Sequence, residues 1–364
     1  MPVEFIGFIG ANPASETTPY KGPVLDRDYV ETMAIAHDEG GFDRALVAFH
    51  ATSPDSILIA GHALSVTKKL GLMIAHRPGF TAPTVAARQL ATLDQFSRGR
   101  VAVHIITGAS DEELARDGDH LTKDERYDRT DEYLDIVRLE WSSPKPFTYK
   151  GKYYDVEGAF AAVKPYAGTH LPVYFGGSSD AAIRVAGKHA DIYALWGETQ
   201  AQVNETIARV RSAAAKWGRE PRFSLSLRPV LADTEEAAWK KAREIEDRTR
   251  ELREQAGLKT SGHAPPNAGS QRLLAAAAQG ARLDKRLWAG VAALTGATGN
   301  STGLVGTPEQ VAEAMLDYYD LGVSTFLIRG FDTVADATGY GRDLIPLVRS
   351  LVAARDANPV RAAS

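Results

Sequence analysis

The chain has 364 residues, 44% of them hydrophobic, so it can bury a large core. Its 42 Lys and Arg against 46 Asp and Glu give a net charge of -4, and no basic run occurs, which disfavours nucleic acid and anionic membranes as partners. The absence of cysteine excludes disulfides, thiolate metal sites, iron–sulfur clusters and a cysteine nucleophile. No apolar run approaches the roughly 18 residues that span a bilayer, and the first residues lack a signal peptide's basic segment, so we expect a cytoplasmic protein.

Short apolar runs alternate with segments of helical period, which predicts parallel βα units rather than a sandwich. Eight such runs predict an α/β fold that closes as a (β/α)8 TIM barrel, a single domain over 1–364 with insertions. The predicted strands are Glu4–Ile9, Ala45–Phe49, Gly71–Ala75, Val101–Ile106, Val173–Phe175, Ile192–Leu195, Ser224–Leu231 and Thr325–Ile328. The predicted helices are Asp28–Glu39, Thr84–Phe96, Arg126–Trp141, Ala181–His189, Gln202–Trp217, Glu235–Gln255 and Pro308–Leu321.

Two insertions interrupt this alternation. Phe147–Val156 alternates aromatic and polar residues about a Lys-Gly turn, which predicts a short hairpin before strand five. The segment 256–287 contains SGHAPPNAGSQ, and a loop of that length in a compact domain is either a lid or disordered. Because it follows strand seven and so emerges at the catalytic face of a barrel, we favour a mobile lid over an inert linker.

The segment VHIITG places His104 on the inward face of strand four, with Thr107 at the carboxyl end of that strand. An inward histidine beneath a cofactor can hydrogen-bond a flavin or hold an oxygen intermediate. The alternative is a core histidine satisfied by a backbone carbonyl. The segment alone leaves both interpretations open.

Two further segments are typical of a site for a phosphate. In YFGGSSD, two glycines allow close backbone approach, Ser178 and Ser179 offer hydroxyls, and the following helix directs free N–H groups at an anion; the alternative is an ordinary Ser-capped helix. In DERYDRTDEYL, Asp124 is a candidate N-cap, while Tyr127 can bind a phosphate or ribityl hydroxyl and Arg126 supplies charge; the alternative is an amphipathic helix start with i,i+4 ion pairs.

Other chemistries find little support in the sequence. The nine histidines show no H-E-x-x-H spacing, so we expect no metal, and no G-x-S-x-G elbow occurs, which disfavours an α/β-hydrolase. In AHRPGF, Arg77 follows strand three at a turn set by Pro78 and Gly79. A cation there suits an anionic substrate; the alternative is a surface ion pair.

Taken together, the blocks of this sequence resemble the alkanesulfonate monooxygenases, within the bacterial luciferase-like flavin-dependent monooxygenases. The likeness covers nearly the whole chain. It implies a barrel that takes reduced FMN from a separate NAD(P)H-dependent flavin reductase and uses dioxygen to cleave a C–S bond, releasing sulfite and an aldehyde. It also implies a homo-oligomer, a dimer or a tetramer. The matching blocks are FIGFIG, HRPGFTAPTVAARQLATLDQFSRGR, VHIITG, DERYDRTDEYL, YFGGSSD, DIYALWGE, LWAGV and LVGTPEQVAEAM.

The resemblance also implies particular site residues. Trp196 matches a tryptophan at the end of strand six that forms a wall of the substrate pocket. His50 or His104 would steady the oxygen intermediate. The implied flavin contacts are His50, His104, Thr107, Glu113, Arg126, Tyr127, Ser178 and Ser179.

The chain departs from the alkanesulfonate pattern on the substrate side. Where those enzymes carry Arg and His two positions apart on strand seven, this chain has Ser226 and Arg228. An anion would therefore be held by Arg228, Arg77 or Arg329, with Arg228 stabilising developing charge. The other replacements are Thr295 for an arginine, Phe331 for a tyrosine, Pro54 for a cysteine and Asn12 for a histidine.

These departures make simple alkanesulfonates doubtful and favour a polar organosulfonate, such as the sulfosugar sulfoquinovose. Two rival functions stay open. The same flavin chemistry can act on a sulfone or a nitrogen heterocycle, or the barrel can bind flavin without catalysis.

Overall fold

The fold is described from a computed structural model, for residues 2–108, 110–258, 265, 267–297, 299 and 301–357. Eight parallel strands close into a barrel in chain order, each pairing with the next and the last with the first. This confirms the predicted α/β TIM barrel. The strands are β1 (Glu4–Ile9), β2 (Arg44–Val47), β3 (Gly71–His76), β4 (Val101–Ile105), β5 (Val173–Gly176), β6 (Ile192–Trp196), β7 (Arg222–Leu227) and β8 (Val323–Ile328).

Helices cover the outside of the barrel. A π-helical turn at Tyr340–Leu344 precedes the last of them. None of the helices in the described part of the chain combines the length and the apolar character needed to cross a membrane. The helices are α1 (Arg27–Glu39), α2 (Ser56–Val66), α3 (Pro83–Ser97), α4 (Asp111–Ala115), α5 (Lys123–Ser142), α6 (Asp180–His189), α7 (Gln200–Ala215), α8 (Glu235–Gln255), α9 (Ala268–Ala277), α10 (Gly290–Thr295), α11 (Pro308–Asp320), α12 (Thr333–Gly339) and α13 (Ile345–Ala357).

Side-chain alternation along the strands separates two apolar layers. On β1, Phe5 and Ile9 face the surrounding helices, whereas Ile6 belongs to a buried cluster inside the barrel. Because that inner cluster fills the barrel axis, the barrel is a packed core and its mouth is a shallow rim rather than a pore. The inner cluster comprises Ile6, Met73, Ala102, Tyr174, Ile192 and Leu327.

The prediction of one strand over Ser224–Leu231 is wrong. The chain leaves the barrel after Leu227, and the separate strand Val230–Leu231 pairs with Gly303–Gly306 in a second, four-stranded sheet. Pro229 has no N–H to donate to a barrel neighbour, and the N–H of Arg228 bonds to the carbonyl of Thr302 (2.9 Å) instead. The remaining strands of that sheet are Arg282–Leu283 and Leu287–Trp288.

The predicted hairpin before strand five is present. Phe147–Lys150 and Asp155–Ala159 pair antiparallel, and the N–H of Gly151 bonds to the carbonyl of Tyr154 (2.8 Å) at the turn. The carboxylate of Glu132 on α5 accepts bonds from the N–H groups of Lys152 (2.8 Å) and Tyr153 (2.9 Å), so the hairpin tip is fixed to that helix.

Packing of α6 on α7 depends on a glycine, and this generates a prediction. A Cβ at Gly187 would lie 2.8 Å from the backbone carbon of Ala213, which cannot move aside as a side chain can. We expect Gly187→Ala to lower the free energy of unfolding by about 1–3 kcal/mol through overpacking. The thermal unfolding midpoint, followed by circular dichroism, measures this.

Gly339→Ala is the matched control, because Gly339 is also helical and a Cβ there would meet nothing within 4 Å. It gains helix propensity of up to about 1 kcal/mol without a clash, so its midpoint should stay or rise. Equal midpoints for the two variants would show that the α6–α7 contact does not constrain residue 187.

Candidate functional site at the carboxyl-terminal mouth of the barrel

The closed parallel barrel collects at one rim the polar residues that follow its strands. Segments far apart in sequence therefore share this mouth. In an eight-stranded ring, β5 lies opposite β1 and β4 lies opposite β8, so two sets of side chains face each other across the opening. The first set lies on β4 or follows β4 and β5, and it includes His104, Thr107, Ser178 and Ser179. The second follows β8 and β1 and includes Arg329 and Asn12, with Arg228 beside it after β7.

The loop after β5 joins a tight backbone passage to a helix N-terminus. Ser179 is the N-cap of α6, and its hydroxyl accepts the N–H of Ala182 (3.3 Å). Gly177 has φ of 132°, and a Cβ there would lie 2.9 Å from the hydroxyl of Tyr127. The hydroxyl of Tyr193 donates to the carbonyl of Gly177. Free helix N–H groups, the half-buried Ser178 and the Tyr127 hydroxyl thus surround a backbone that tolerates no side chain, which fits a phosphate-bearing group.

The start of α5 differs from the prediction in its cap. The helix begins at Lys123 with Thr122 as N-cap, not Asp124. Thr122 and Glu125 form a capping box, in which the Glu125 carboxylate accepts the N–H of Thr122 (3.0 Å). A threonine followed three residues later by Glu was the available signal.

Arg126 and Tyr127 point to different partners. The ring of Tyr127 packs 6.3 Å from that of Phe175, which directs its hydroxyl to the loop after β5. Arg126 is buried, pairs with Asp111 (2.9 Å) and donates to the carbonyl of Leu121 (2.6 Å). Its Nε is buried and has no hydrogen-bond partner in the described part of the chain. That atom is therefore a donor that Arg126 can offer a ligand.

His104 lies inside the barrel, in register with Tyr174 on β5 and Ala75 on β3. Burial lowers the pKa of His104 to about 4, so the imidazole is neutral near pH 7. Its Nδ1 is buried and finds no hydrogen-bond partner among the described residues. A core histidine whose Nδ1 is satisfied by a backbone carbonyl would have such a partner. The unpartnered Nδ1 therefore favours the interpretation in which His104 contacts a ligand.

A carboxylate ties together the loops after β2, β3 and β4. Glu113 on α4 accepts from Arg77 Nη2 (3.0 Å) and from the N–H of Ala51 (3.1 Å), and it lies 3.8 Å from Nδ1 of the exposed His50. Burial raises the pKa of Glu113, but the bonds from Arg77 and Ala51 outweigh it, so the pKa is lowered. Arg77 is therefore a neutralised cation, although its Nε and Nη1 are buried without a hydrogen-bond partner in the described ranges.

The two arginines on the opposite side share a carboxylate that the sequence analysis did not identify. Glu16, in the loop after β1, lies 2.8 Å from Nη1 of Arg228 and 3.5 Å from Nη2 of Arg329. Arg228 is fully buried, donates from Nη2 to the carbonyl of Gly330 (2.8 Å) and stacks 3.5 Å over the ring centre of Phe331. Glu16 stands alone in an irregular loop, so no periodicity or motif could have marked it.

Of the other predicted substrate residues, Ser226 faces the barrel interior, whereas Asn12 and Phe331 contact neighbouring parts of the protein. Ser226 lies in register with Trp196 on β6 and Leu327 on β8, facing the barrel interior. Asn12 is engaged in its own loop, since Nδ2 donates to the carbonyl of Val24 (2.9 Å). Phe331 belongs to the apolar cluster around Trp288, 6.0 Å away between ring centres, and supports Arg228 from below.

Part of the predicted lid packs over Trp196. Helix α9 lies within 256–287, and a Cβ at Gly269 in its first turn would come 3.0 Å from the Trp196 ring. Arg272 on α9 forms an ion pair with the buried Glu198 (2.9 Å). This part of the segment is helix and strand rather than irregular loop. Residues 259–264 and 266 lie outside the described residues, and mobility of the segment stays a prediction.

One group of potential metal ligands lies away from the mouth, between α5 and α6. Asp131, Asp135 and His189 approach one another there. Lys188 donates to Asp131 (2.7 Å) and to Asp135 (2.8 Å), and His189 Nε2 lies 2.6 Å from Asp131. The acidic charge is thus already compensated, and the cluster joins two helices.

The chain matches the sequence profile of the family described as luciferase-like monooxygenase over residues 3–325. It superposes on riboflavin lyase RcaE, solved with modified FMN and riboflavin, with a TM-score of 0.80 and 21% identity over 97% of this chain and 92% of that one.

Two further solved structures share the fold. EDTA monooxygenase EmoA from Chelativorans sp. BNC1 has a TM-score of 0.77 and 20% identity over 97% of this chain and 95% of that one. The oxygenating constituent of 3,6-diketocamphane monooxygenase from Pseudomonas putida, in complex with FMN, has a TM-score of 0.70 and 19% identity over 95% of this chain and 98% of that one. At these identities the likeness is one of fold.

Burial of histidines generates a prediction for pH. Because His37, His76 and His104 have pKa values of about 4 in the fold against about 6.5 in an unfolded chain, unfolding takes up protons between these values and stability rises with pH across this window. Each contributes a slope of at most about 1.4 kcal/mol per pH unit. We expect His104→Gln to reduce the slope by up to that amount, measured by urea unfolding at pH 4.5, 5.5 and 6.5.

Above pH 7.5 the same variant provides its own control, because His104 is neutral in both states and the two curves should run parallel. An unchanged slope between pH 4.5 and 6.5 would contradict the account, since it would mean that His104 takes up its proton equally in the folded and unfolded chain.

Proposed function

Because the chain belongs to the luciferase-like monooxygenase family, we propose that it is a two-component, reduced-FMN-dependent monooxygenase that cleaves the C–S bond of an organosulfonate. The observation that supports the proposal is the mouth itself, where the glycine-containing loop and helix N-terminus after β5 share one rim with Arg228 and Arg329, which follow β7 and β8. A separate NAD(P)H-dependent flavin reductase would supply the reduced cofactor. When bound, reduced FMN supplies the two electrons that activate dioxygen.

The chain's own residues would hold the cofactor by its phosphate. The hydroxyls of Ser178, Ser179 and Tyr127 and the first N–H groups of α6 are the donors for it. His104 and Thr107, inside and at the end of β4, would meet the ring system, with the free Nδ1 of His104 as a hydrogen-bonding atom. His50, Glu113 and Arg126 complete the predicted set. Of these, Glu113 and Arg126 act through ion pairs that fix the rim loops.

On the substrate side, a sulfonate needs charge-assisted donors in fixed positions. Arg228 and Arg329 provide guanidinium groups whose Nε atoms are buried and unpartnered among the described residues. Ser226 adds an inward hydroxyl beside Trp196, which supports a polar substrate such as the sulfosugar sulfoquinovose over a simple alkanesulfonate. Arg77 is a second candidate for contacting the anion.

The overall reaction balances with one dioxygen molecule. The carbon next to sulfur gains one oxygen atom and leaves as an aldehyde, the C–S bond breaks and sulfur leaves as sulfite, and the second oxygen atom becomes water. The electrons come from reduced FMN, which returns oxidised. Helix α9 over Trp196 would exclude water from this site, because its ion pair with Glu198 holds it on the barrel.

The direct test supplies photoreduced FMN under air together with a panel of organosulfonates, sulfones and nitrogen heterocycles. We expect sulfite release and dioxygen uptake with one or more polar sulfonates, because the arginine side of the mouth suits an acid group. Dioxygen uptake with sulfones or heterocycles alone would favour the rival function, in which the same flavin chemistry acts on a sulfone or a nitrogen heterocycle. Tight binding of oxidised FMN without substrate-dependent dioxygen uptake would favour a non-catalytic flavin-binding barrel.

Arg228→Met tests the arginine side within the same assay. Loss of a charge-assisted bond should lower sulfite release by about ten- to a hundredfold while reduced-flavin affinity stays nearly unchanged. Arg116→Met is the matched control, because Arg116 is an exposed arginine of the rim that pairs with Glu112. A collapse of flavin affinity in Arg228→Met would contradict its place on the substrate side.

Gly177→Ala tests the cofactor side. The added methyl would clash with the Tyr127 hydroxyl, and a φ of 132° is unfavourable for alanine. The loop would therefore have to move away from the phosphate position. We expect FMN to bind at least about tenfold more weakly, as measured by fluorescence titration. Gly158→Ala, at another positive φ with open space around the Cβ, should leave affinity unchanged; equal affinities in all three proteins would contradict this cofactor site.

A further inference from the structure

The carboxylate between the two arginines has a role beyond supporting them. Glu16 approaches Arg228 at 2.8 Å and Arg329 at 3.5 Å, and its side chain is 27% exposed whereas that of Arg228 is fully buried. Arg329 is 23% exposed, so Glu16 and Arg329 both reach the solvent and Arg228 lies beneath them. A ligand that enters from the mouth meets Glu16 and the guanidiniums together.

Two guanidiniums facing one carboxylate leave one positive charge. Another carboxylate at this end of the barrel, Asp336, accepts the N–H of Phe331 (2.8 Å) and pairs with Lys241 (3.4 Å). Tyr29 and Tyr340 contact the group electrostatically but are neutral, because burial raises the pKa of each. Glu16 is thus the only group that sets the balance among these residues.

This balance holds across the physiological range of pH. Burial raises the pKa of Glu16, but Arg228 and Arg329 outweigh it and lower the pKa to about 2. Burial and the neighbouring Arg228 lower the pKa of Arg329 to about 10. Between these values the carboxylate stays ionised and the guanidinium stays protonated.

We infer that Glu16 is a specificity-determining residue that limits the arginine pair to one net positive charge, so that the mouth accepts a monoanionic acid group and disfavours a dianionic one. The inference deepens the proposed function and rests on it: a sulfonate carries one negative charge, whereas a phosphate ester or an inorganic sulfate carries two. The second negative charge of a dianion would lie near the Glu16 carboxylate, with no second unpaired cation to compensate it. Like charges close together repel strongly in a partly buried site.

The test compares two probes on the full-length protein, methanesulfonate as monoanion and inorganic sulfate as dianion, by isothermal titration calorimetry at pH 7.5 and constant ionic strength. We expect the wild type to bind methanesulfonate more tightly. In Glu16→Gln the affinity for sulfate should rise at least about tenfold more than that for methanesulfonate, because the repelling charge is gone. Glu112→Gln removes an equal charge from an exposed rim residue and should match the wild type within about twofold.

Glu16→Asp separates charge from shape, since it keeps the carboxylate and should keep the preference for methanesulfonate. Three results would overturn the inference: a wild type that prefers sulfate or binds neither probe, equal changes for both probes in Glu16→Gln, or loss of the preference in Glu16→Asp. The probes need no flavin, so the inference can fail while sulfite release is observed. Conversely, charge discrimination without sulfite release would refute only the proposed reaction.

Discussion

Closure of the eight parallel strands is the constraint on which the site depends. Every strand points the same way, so every loop that follows a strand ends at one rim, and the apolar plug inside the barrel forms the floor beneath it. The position of each strand in the ring then determines which loops lie opposite each other across the mouth. The loop after β5 lies opposite the loop after β1 that contains Glu16, and His104 on β4 lies opposite Arg329 after β8.

Burial of charge is the second constraint at the rim. Burying an arginine without a counter-charge is costly, and each of three buried arginines of the mouth has a carboxylate from another segment of the rim. Arg77 has Glu113, Arg126 has Asp111, and Arg228 has Glu16. Since Asp111 and Glu113 lie on α4 and Glu16 lies in the loop after β1, the ion pairs that neutralise the arginines also connect separate segments of the rim. Glu16 therefore has a structural role at the rim as well as the selectivity that we propose for it.

The sequence allowed the fold and the Ser-capped helix start after β5 to be predicted because both leave local signals. Apolar runs and helical periods identified the barrel, and the two glycines and Ser179 of YFGGSSD identified the loop after β5. The strand over 224–231 was predicted wrongly, since its apolar run continues past Pro229 although the proline cannot donate to a barrel neighbour. The substrate side was less predictable. Glu16 and Arg228 are more than two hundred residues apart, and a long-range ion pair has no period and no motif.

The central claim is that this rim holds a flavin phosphate between the start of α6 and Tyr127. The most direct measurement is a crystal structure of the full-length protein with FMN. The account predicts phosphate oxygens within about 3.2 Å of the hydroxyls of Ser178, Ser179 and Tyr127, with the ring system reaching towards His104. A phosphate bound at another part of the surface, or a ring system that lies away from β4, would contradict it.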